Sequence, residues 1–192
     1  MSKIAFVFPG QGSQYVGMCK AFYDQYPIAR QLFEEADDAL GFSLTKMCFE
    51  GPEADLRLTY NTQPAILTAS TICGEILKQH GVSADIAAGH SLGEYSALVN
   101  AGAMKFADAV RIVRQRGQFM QEAVPVGEGS MSAVMGLANE KIVEICQQVE
   151  TETGLPVQAV NFNCPGQVVI AGATAAVDKA NEEMKAAGAK RC

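Results

Sequence analysis

Metal and disulfide signatures are missing from this chain. Its six cysteines (Cys19, Cys48, Cys73, Cys146, Cys164 and Cys192) form no Cys-x-x-Cys pair and have no adjacent histidine, which argues against zinc and against a disulfide framework. Reduced thiols in a cytoplasm fit that scatter best. No apolar run approaches a membrane span, and the N-terminal stretch meets Pro9-Gly10 too early to be a signal peptide. Basic residues are in the minority, 15 Lys and Arg against 21 Asp and Glu, for a formal net charge of −6. They form no cluster of the kind that phosphate neutralisation requires, so nucleic acid is disfavoured as a partner. Nucleotide loops are absent too. In Pro9-Gly10-Gln11-Gly12-Ser13-Gln14 the third glycine of a dinucleotide loop is replaced by Tyr15, and no Gly-Lys-Ser/Thr follows.

What is present is enough apolar material for a real core. With 192 residues and 48% hydrophobic composition, the chain can build one domain or a domain plus a small subdomain. Lys3 to Phe8 reads as a central strand of a parallel sheet, ended by Pro9-Gly10. Helical patterns follow over 15–39, 64–80, 92–101 and 105–122, with Thr62 and Pro64 as cap and first-turn residue of the second. Strands separated by helices in this way indicate an α/β layer fold. Past the loop Pro125-Val126-Gly127-Glu128-Gly129 the rhythm becomes strand 130–137, helix 139–153, strand 156–162, strand 167–172 and helix 174–187, with Asn163-Cys164-Pro165-Gly166 as the hairpin turn. That order is a split β-α-β unit whose last strand should begin near Ala189. The expected division is therefore a large subdomain over 1–124 and a small one over 125–192, cut in its last strand.

The chemistry starts at Gly89-His90-Ser91-Leu92-Gly93-Glu94. A serine at the tip of a sharp strand-to-helix bend needs neighbours without bulk, which Gly89 and Gly93 provide. Ile86-Ala87-Ala88 reads as the strand before the bend and Leu92 to Ala101 as the helix after it. Ser91 is thus a nucleophile at a helix N-terminus, where unpaired N–H groups favour negative charge on an acyl oxygen. The backbone N–H of Leu92 is the natural first oxyanion donor, and the separate loop after the first strand is either a bare turn or presents the Gln11 N–H as the second. On the helix from Lys105 to Glu122, Phe106, Ala109, Val110, Val113, Gly117 and Met120 share one arc. Arg116 projects inside that arc, while Arg111 and Arg114 fall on the other side as solvated charges. A guanidinium directed at an apolar face needs a carboxylate, supplied by an internal Asp or Glu or by a substrate.

Together, Pro9-Gly10-Gln11-Gly12-Ser13-Gln14, Thr62-Gln63-Pro64-Ala65, Gly89-His90-Ser91-Leu92-Gly93-Glu94, Arg116 and Asn161-Phe162-Asn163-Cys164-Pro165-Gly166-Gln167 strongly resemble the malonyl-CoA:acyl-carrier-protein transacylases of fatty-acid synthesis. The resemblance implies an α/β-hydrolase-like large subdomain with an inserted ferredoxin-like one. It implies a ping-pong reaction in which Ser91 takes malonyl from malonyl-CoA and passes it to the phosphopantetheine thiol of acyl carrier protein. By the same likeness, the amides of Gln11 and Leu92 form the oxyanion hole, Arg116 binds the malonyl carboxylate, and Gln63, His90, Met120 and Asn161 line the pocket. No metal or redox cofactor is implied; a monomer and a cytoplasmic location are the default expectations. The family's general base is a histidine located after the small subdomain. Only His80 and His90 occur here; His80 suits a helix C-terminus, and His90 is adjacent to Ser91, where side chains diverge. The isolated chain is therefore expected to look truncated and to be catalytically impaired. Two alternatives stay open: a serine esterase or thioesterase of the same fold, and a non-catalytic carrier-protein-binding fragment using Lys179, Lys185, Lys190 and Arg191.

Overall fold

In a computed structural model that describes residues 3–125 and 127–192, the first apolar run forms strand β1 (Ala5–Phe8). Val126, part of the expected linker loop, lies outside the described residues, as do Met1 and Ser2. The chain separates into two compact units, Met1–Ala123 and Val124–Cys192. The division falls one residue before the expected boundary.

In the first unit β1 pairs in parallel with β2 (Ile86–Gly89), running from Ala5 opposite Ile86 to Phe8 opposite Gly89. Phe6 and Phe8 are buried, meet edge to face at 6.4 Å and pack with Ala97. Val7 and Ile86, on the opposite face, are exposed. The helical pattern expected over 15–39 is broken. It contains α1 (Lys20–Gln25) and α2 (Pro27–Leu40), because a residue before proline is pushed out of the helical region and Tyr26 sits at φ −116, ψ 122. Two short helices without a strong periodic signal follow, α3 (Leu44–Glu50), capped by the Ser43 hydroxyl, and α4 (Glu53–Leu56).

Helix α5 (Thr59–Gln79) is the core of this unit, with Ala65, Ile66, Leu67 and Ile72 buried. It begins earlier than the sequence suggested. Pro64 lies inside it, and Thr62 is no cap but a buried side chain donating to the Leu56 carbonyl at 2.6 Å. A proline lacks the N–H that would pair with the carbonyl four residues back, which here is that of Tyr60. Arg114 Nη1 donates to this carbonyl at 2.9 Å, so the break in the ladder is repaired from a neighbouring helix. The unit is completed by α6 (Gly93–Asn100) and α7 (Phe106–Ala123). Helices α5 and α7 touch where Gly117 meets Tyr60; a Cβ on Gly117 would lie 2.5 Å from the Tyr60 Cα.

The second unit runs β3 (Gly129–Met135), α8 (Asn139–Thr153), β4 (Val157–Cys164), β5 (Gln167–Ala173) and α9 (Thr174–Ala186). Its antiparallel sheet has the order β3-β5-β4, and Gly166 (φ 81) turns the hairpin. Val134, Val168 and Ile170 from the sheet and Ile142, Val149, Val177 and Met184 from the helices form its core. Beside the free edge of β3, the Met135 N–H donates to the Arg191 carbonyl and the Lys190 N–H to the Met135 carbonyl, each at 2.8 Å. This antiparallel bridge occupies the place of the fourth strand in a split β-α-β sheet. Among the described residues no helix is long and apolar enough to cross a membrane.

Candidate active site

Parallel pairing of β1 and β2 brings the loops at their carboxyl ends side by side, the usual position of a site in an open α/β sheet. The Phe8 carbonyl accepts from the His90 N–H at 3.1 Å. At Gly89 an added Cβ would lie 1.9 Å from the backbone of Gly93, and one at Gly93 would lie 2.2 Å from the Phe8 oxygen. Both glycines are therefore demanded by backbone closing on backbone. Between them Ser91 holds φ 53, a left-handed setting that non-glycine residues adopt at sharp, functionally constrained turns. Its side chain is exposed and Leu92, behind it, is 1% exposed, so the elbow is anchored from below.

Gln11 arrives on the neighbouring loop. Gly10 packs so closely against His90 that a Cβ would sit 2.8 Å from its carbonyl oxygen, which keeps this loop against the elbow. The Gln11 side chain donates to Thr59 Oγ1 at 3.2 Å, and the Gly12 N–H is held by Gln14 Oε1 at 2.8 Å. Among the described residues the N–H groups of Gln11 and Leu92 donate to no protein acceptor. Both are available to an acyl oxygen.

Arg116, half-buried on α7, donates from Nη2 to Ser91 Oγ at 3.1 Å and from Nη1 to Gln63 Oε1 at 2.8 Å. Gln63 is fully buried and its Nε2 donates to Met120 Sδ at 3.2 Å, so one chain of contacts runs Met120, Gln63, Arg116, Ser91. The guanidinium also lies over the Tyr95 ring, 5.8 Å from its centroid. Among the described residues no carboxylate forms an ion pair with Arg116. Around it on α7, Ile112, Gln115, Phe119, Met120 and Ala123 form an open, largely apolar surface. An apolar wall with a single cation suits a small acyl chain that ends in an anion.

Other expected positions are distributed differently. Met120 is 46% exposed, so it ends the buried arc of α7 instead of belonging to it. Arg111 is a solvated charge, 3.2 Å from Asp108, but Arg114 is not. It reaches the Tyr60 carbonyl and Asn61 Oδ1 and sits over the rings of Phe42 and Tyr60 at 4.9 and 4.6 Å. Burial pulls it below the usual arginine range. His90 is exposed beside the nucleophile; His80 is the C-cap of α5, edge-on to Tyr26. Asn161 belongs to the second unit, on β4 opposite Val169 next to a register shift. Sequence reasoning missed Thr59, which holds Gln11, and Tyr95, which lies under Arg116. Tyr95 had only the signal of its place in the first turn of α6, two residues after the elbow.

The sequence model of the acyl transferase domain family matches residues 5–192. Over 191 residues the chain is 54% identical to the malonyl CoA-acyl carrier protein transacylase of Bacillus subtilis (strain 168), and over 192 residues 54% identical to that of Escherichia coli O157:H7. All of this chain is covered in both alignments, and 60% and 62% of those relatives. It thus spans about three-fifths of the length of the curated relatives it matches. Among solved structures, a type II PKS acyl-carrier protein in complex with its malonyl-transacylase aligns with TM-score 0.93 at 49% identity, covering 99% of this chain and 61% of that one. The acyl-carrier-protein S-malonyltransferase of Burkholderia pseudomallei 1710b aligns with TM-score 0.91 at 50% identity, covering 99% and 61%.

Proposed function

This chain belongs to the acyl transferase domain family, and from that premise we propose that it carries the nucleophile and the acyl-recognition residues of a malonyl-CoA:acyl-carrier-protein transacylase. The observation that carries the reading is the contact of Arg116 Nη2 with Ser91 Oγ at 3.1 Å, made by a guanidinium without a carboxylate partner among the described residues. A malonyl group has a reacting carbonyl at one end and a carboxylate at the other, and this pair matches both.

In the proposed reaction Ser91 Oγ attacks the thioester carbonyl of malonyl-CoA. The developing oxyanion is held by the N–H groups of Gln11 and Leu92, while Arg116, positioned by Gln63 and Tyr95, binds the free carboxylate through a charge-assisted pair. Coenzyme A leaves as the thiol, and the malonyl-serine ester is then attacked by the phosphopantetheine thiol of acyl carrier protein. By the family resemblance, the proton from Ser91 passes to a histidine general base. His90 and Met120 are proposed as pocket residues. No tightly held cofactor, a cytoplasmic location and a monomer as the acting unit complete the reading. Support for the carrier protein as acceptor comes from the related transacylase solved with one.

The test is mass spectrometry of the protein after incubation with malonyl-CoA or acetyl-CoA. Malonyl should add to Ser91 and not to a Ser91→Ala variant. Arg116→Ala should lower the preference for malonyl over acetyl by about 10- to 100-fold, the worth of a hydrogen bond to a charged group. An unchanged preference would sink the substrate assignment, and water as the preferred acceptor over carrier protein would make the enzyme a hydrolase.

A further inference from the structure

Two of the scattered cysteines meet in the fold. Cys19, at the N-cap of α1, and Cys73, in α5, line the same cavity of about 480 Å³, whose other walls include Phe6, Phe8, Phe22 and Ile66. Cys19 is held in a left-handed conformation at φ 60, and its thiol lies within interaction range of the Cys73 thiol. Cys73 is exposed and Cys19 half-buried, so a reagent in the cavity meets Cys73 first.

We propose that Cys19 and Cys73 form an oxidative modification site, a dithiol that a hydroperoxide converts to a disulfide, tying the segment that follows the Gln11 loop to α5. The Cys73 thiolate attacks one oxygen of the hydroperoxide. An S–O bond forms, the O–O bond breaks, and the alkoxide leaves and is protonated to the alcohol, leaving Cys73 as a sulfenic acid. The Cys19 sulfur then attacks the Cys73 sulfur; the S–S bond forms, the S–O bond breaks, and hydroxide leaves with the Cys19 proton as water. Two thiols lose two electrons and two protons, and the hydroperoxide is reduced to alcohol and water. The electrostatics agree with these roles. Interaction with Cys19 lowers Cys73 below the usual thiol range, which favours it, the more exposed of the two, as the attacking thiolate. Interaction with Cys73 and burial raise Cys19, which keeps its proton until the second step.

The test exposes the reduced 192-residue chain to one equivalent of tert-butyl hydroperoxide, followed by alkylation, tryptic digestion and mass spectrometry. Cleavage after Lys3, Lys20, Arg57 and Lys78 puts Cys19 and Cys73 in separate peptides. The expected result is a linked pair of those peptides, formed before exposed Cys164 is oxidised and faster as pH rises and the thiolate fraction grows. Cys19→Ser should leave a Cys73 sulfenic acid that dimedone traps, and Cys73→Ser should remove both products. Absence of the linked pair in the folded chain, its formation at the same rate in urea, or no dimedone adduct in Cys19→Ser overturns the proposal.

Discussion

At φ 53 Ser91 occupies a backbone setting that costs an L-residue with a side chain about 1–2 kcal/mol. Glycine escapes that cost, so the usual order of the two smallest residues should invert at this position. Ser91→Gly should be more stable than Ser91→Ala by about 1 kcal/mol, read as a higher urea midpoint. Equal midpoints would mean that the bend is not strained. The residue scale is also where the sequence was most readable. Glycines two positions either side of a serine announce a backbone that must close on itself, and the Gly93 Cβ that would sit 2.2 Å from the Phe8 oxygen is the contact behind that pattern. Arg116 was readable from its place on the helical wheel. The identity of its neighbours was not, because Gln63 and Tyr95 come from two other helices, and only their packing decides which side chains face the guanidinium.

Between elements, the joint of α5 and α7 rests on a compensated defect. Pro64 leaves the Tyr60 carbonyl without its helical donor, and Arg114 fills the vacancy at 2.9 Å. Arg114→Ala should cost about 1–3 kcal/mol through loss of a charge-assisted hydrogen bond to the part-buried Tyr60 carbonyl. In a Pro64→Ala background, where residue 64 regains an N–H, the same change should cost about 1 kcal/mol less. Urea denaturation of the four variants measures this coupling, and strict additivity would show that the two residues act independently. This arrangement also explains why the sequence misplaced the start of α5 and treated Arg114 as solvated. A proline is ordinarily read as a first-turn residue, and nothing local reveals that an arginine fifty residues on will replace the missing bond. Tyr26-Pro27 misled in the opposite sense, since an apolar period ran through a break that proline enforces. The split β-α-β order, by contrast, was legible because its period changes between two and 3.6 were sharp and its turn carried Pro165-Gly166.

Across the whole molecule each unit keeps a thiol in its core, Cys48 in the first and Cys146 in the second. Burial, with Asp37 nearby, raises Cys48 from 9.0 to about 12, and burial, with Glu150, raises Cys146 to about 11. A group harder to ionise in the folded state contributes stability below its unfolded value and loses it as pH rises toward its folded one. Stability should therefore fall from about pH 9 upward, for Cys48 by at most about 1.4 kcal/mol per pH unit. Urea midpoints taken across that range check it, and Cys48→Ala should flatten the slope; an unchanged slope would show that the thiol ionises freely in the fold. That both units would form was legible from composition and periodicity. What covers each face of each sheet was not, since Val7 is 75% exposed on a strand whose sequence reads as fully buried.

The Arg116 contact with Ser91 has one more implication. A cation donating to the serine oxygen occupies a lone pair and draws density from the atom meant to attack, so the resting nucleophile is muzzled. A neutral acyl group offers nothing to coax the guanidinium away, whereas a carboxylate does, and thereby unlocks its own attacker. Free malonate should then speed the reaction of Ser91 with a small fluorophosphonate, where an ordinary occupant of the pocket would shield it; slowing would show that the two roles of Arg116 are not linked.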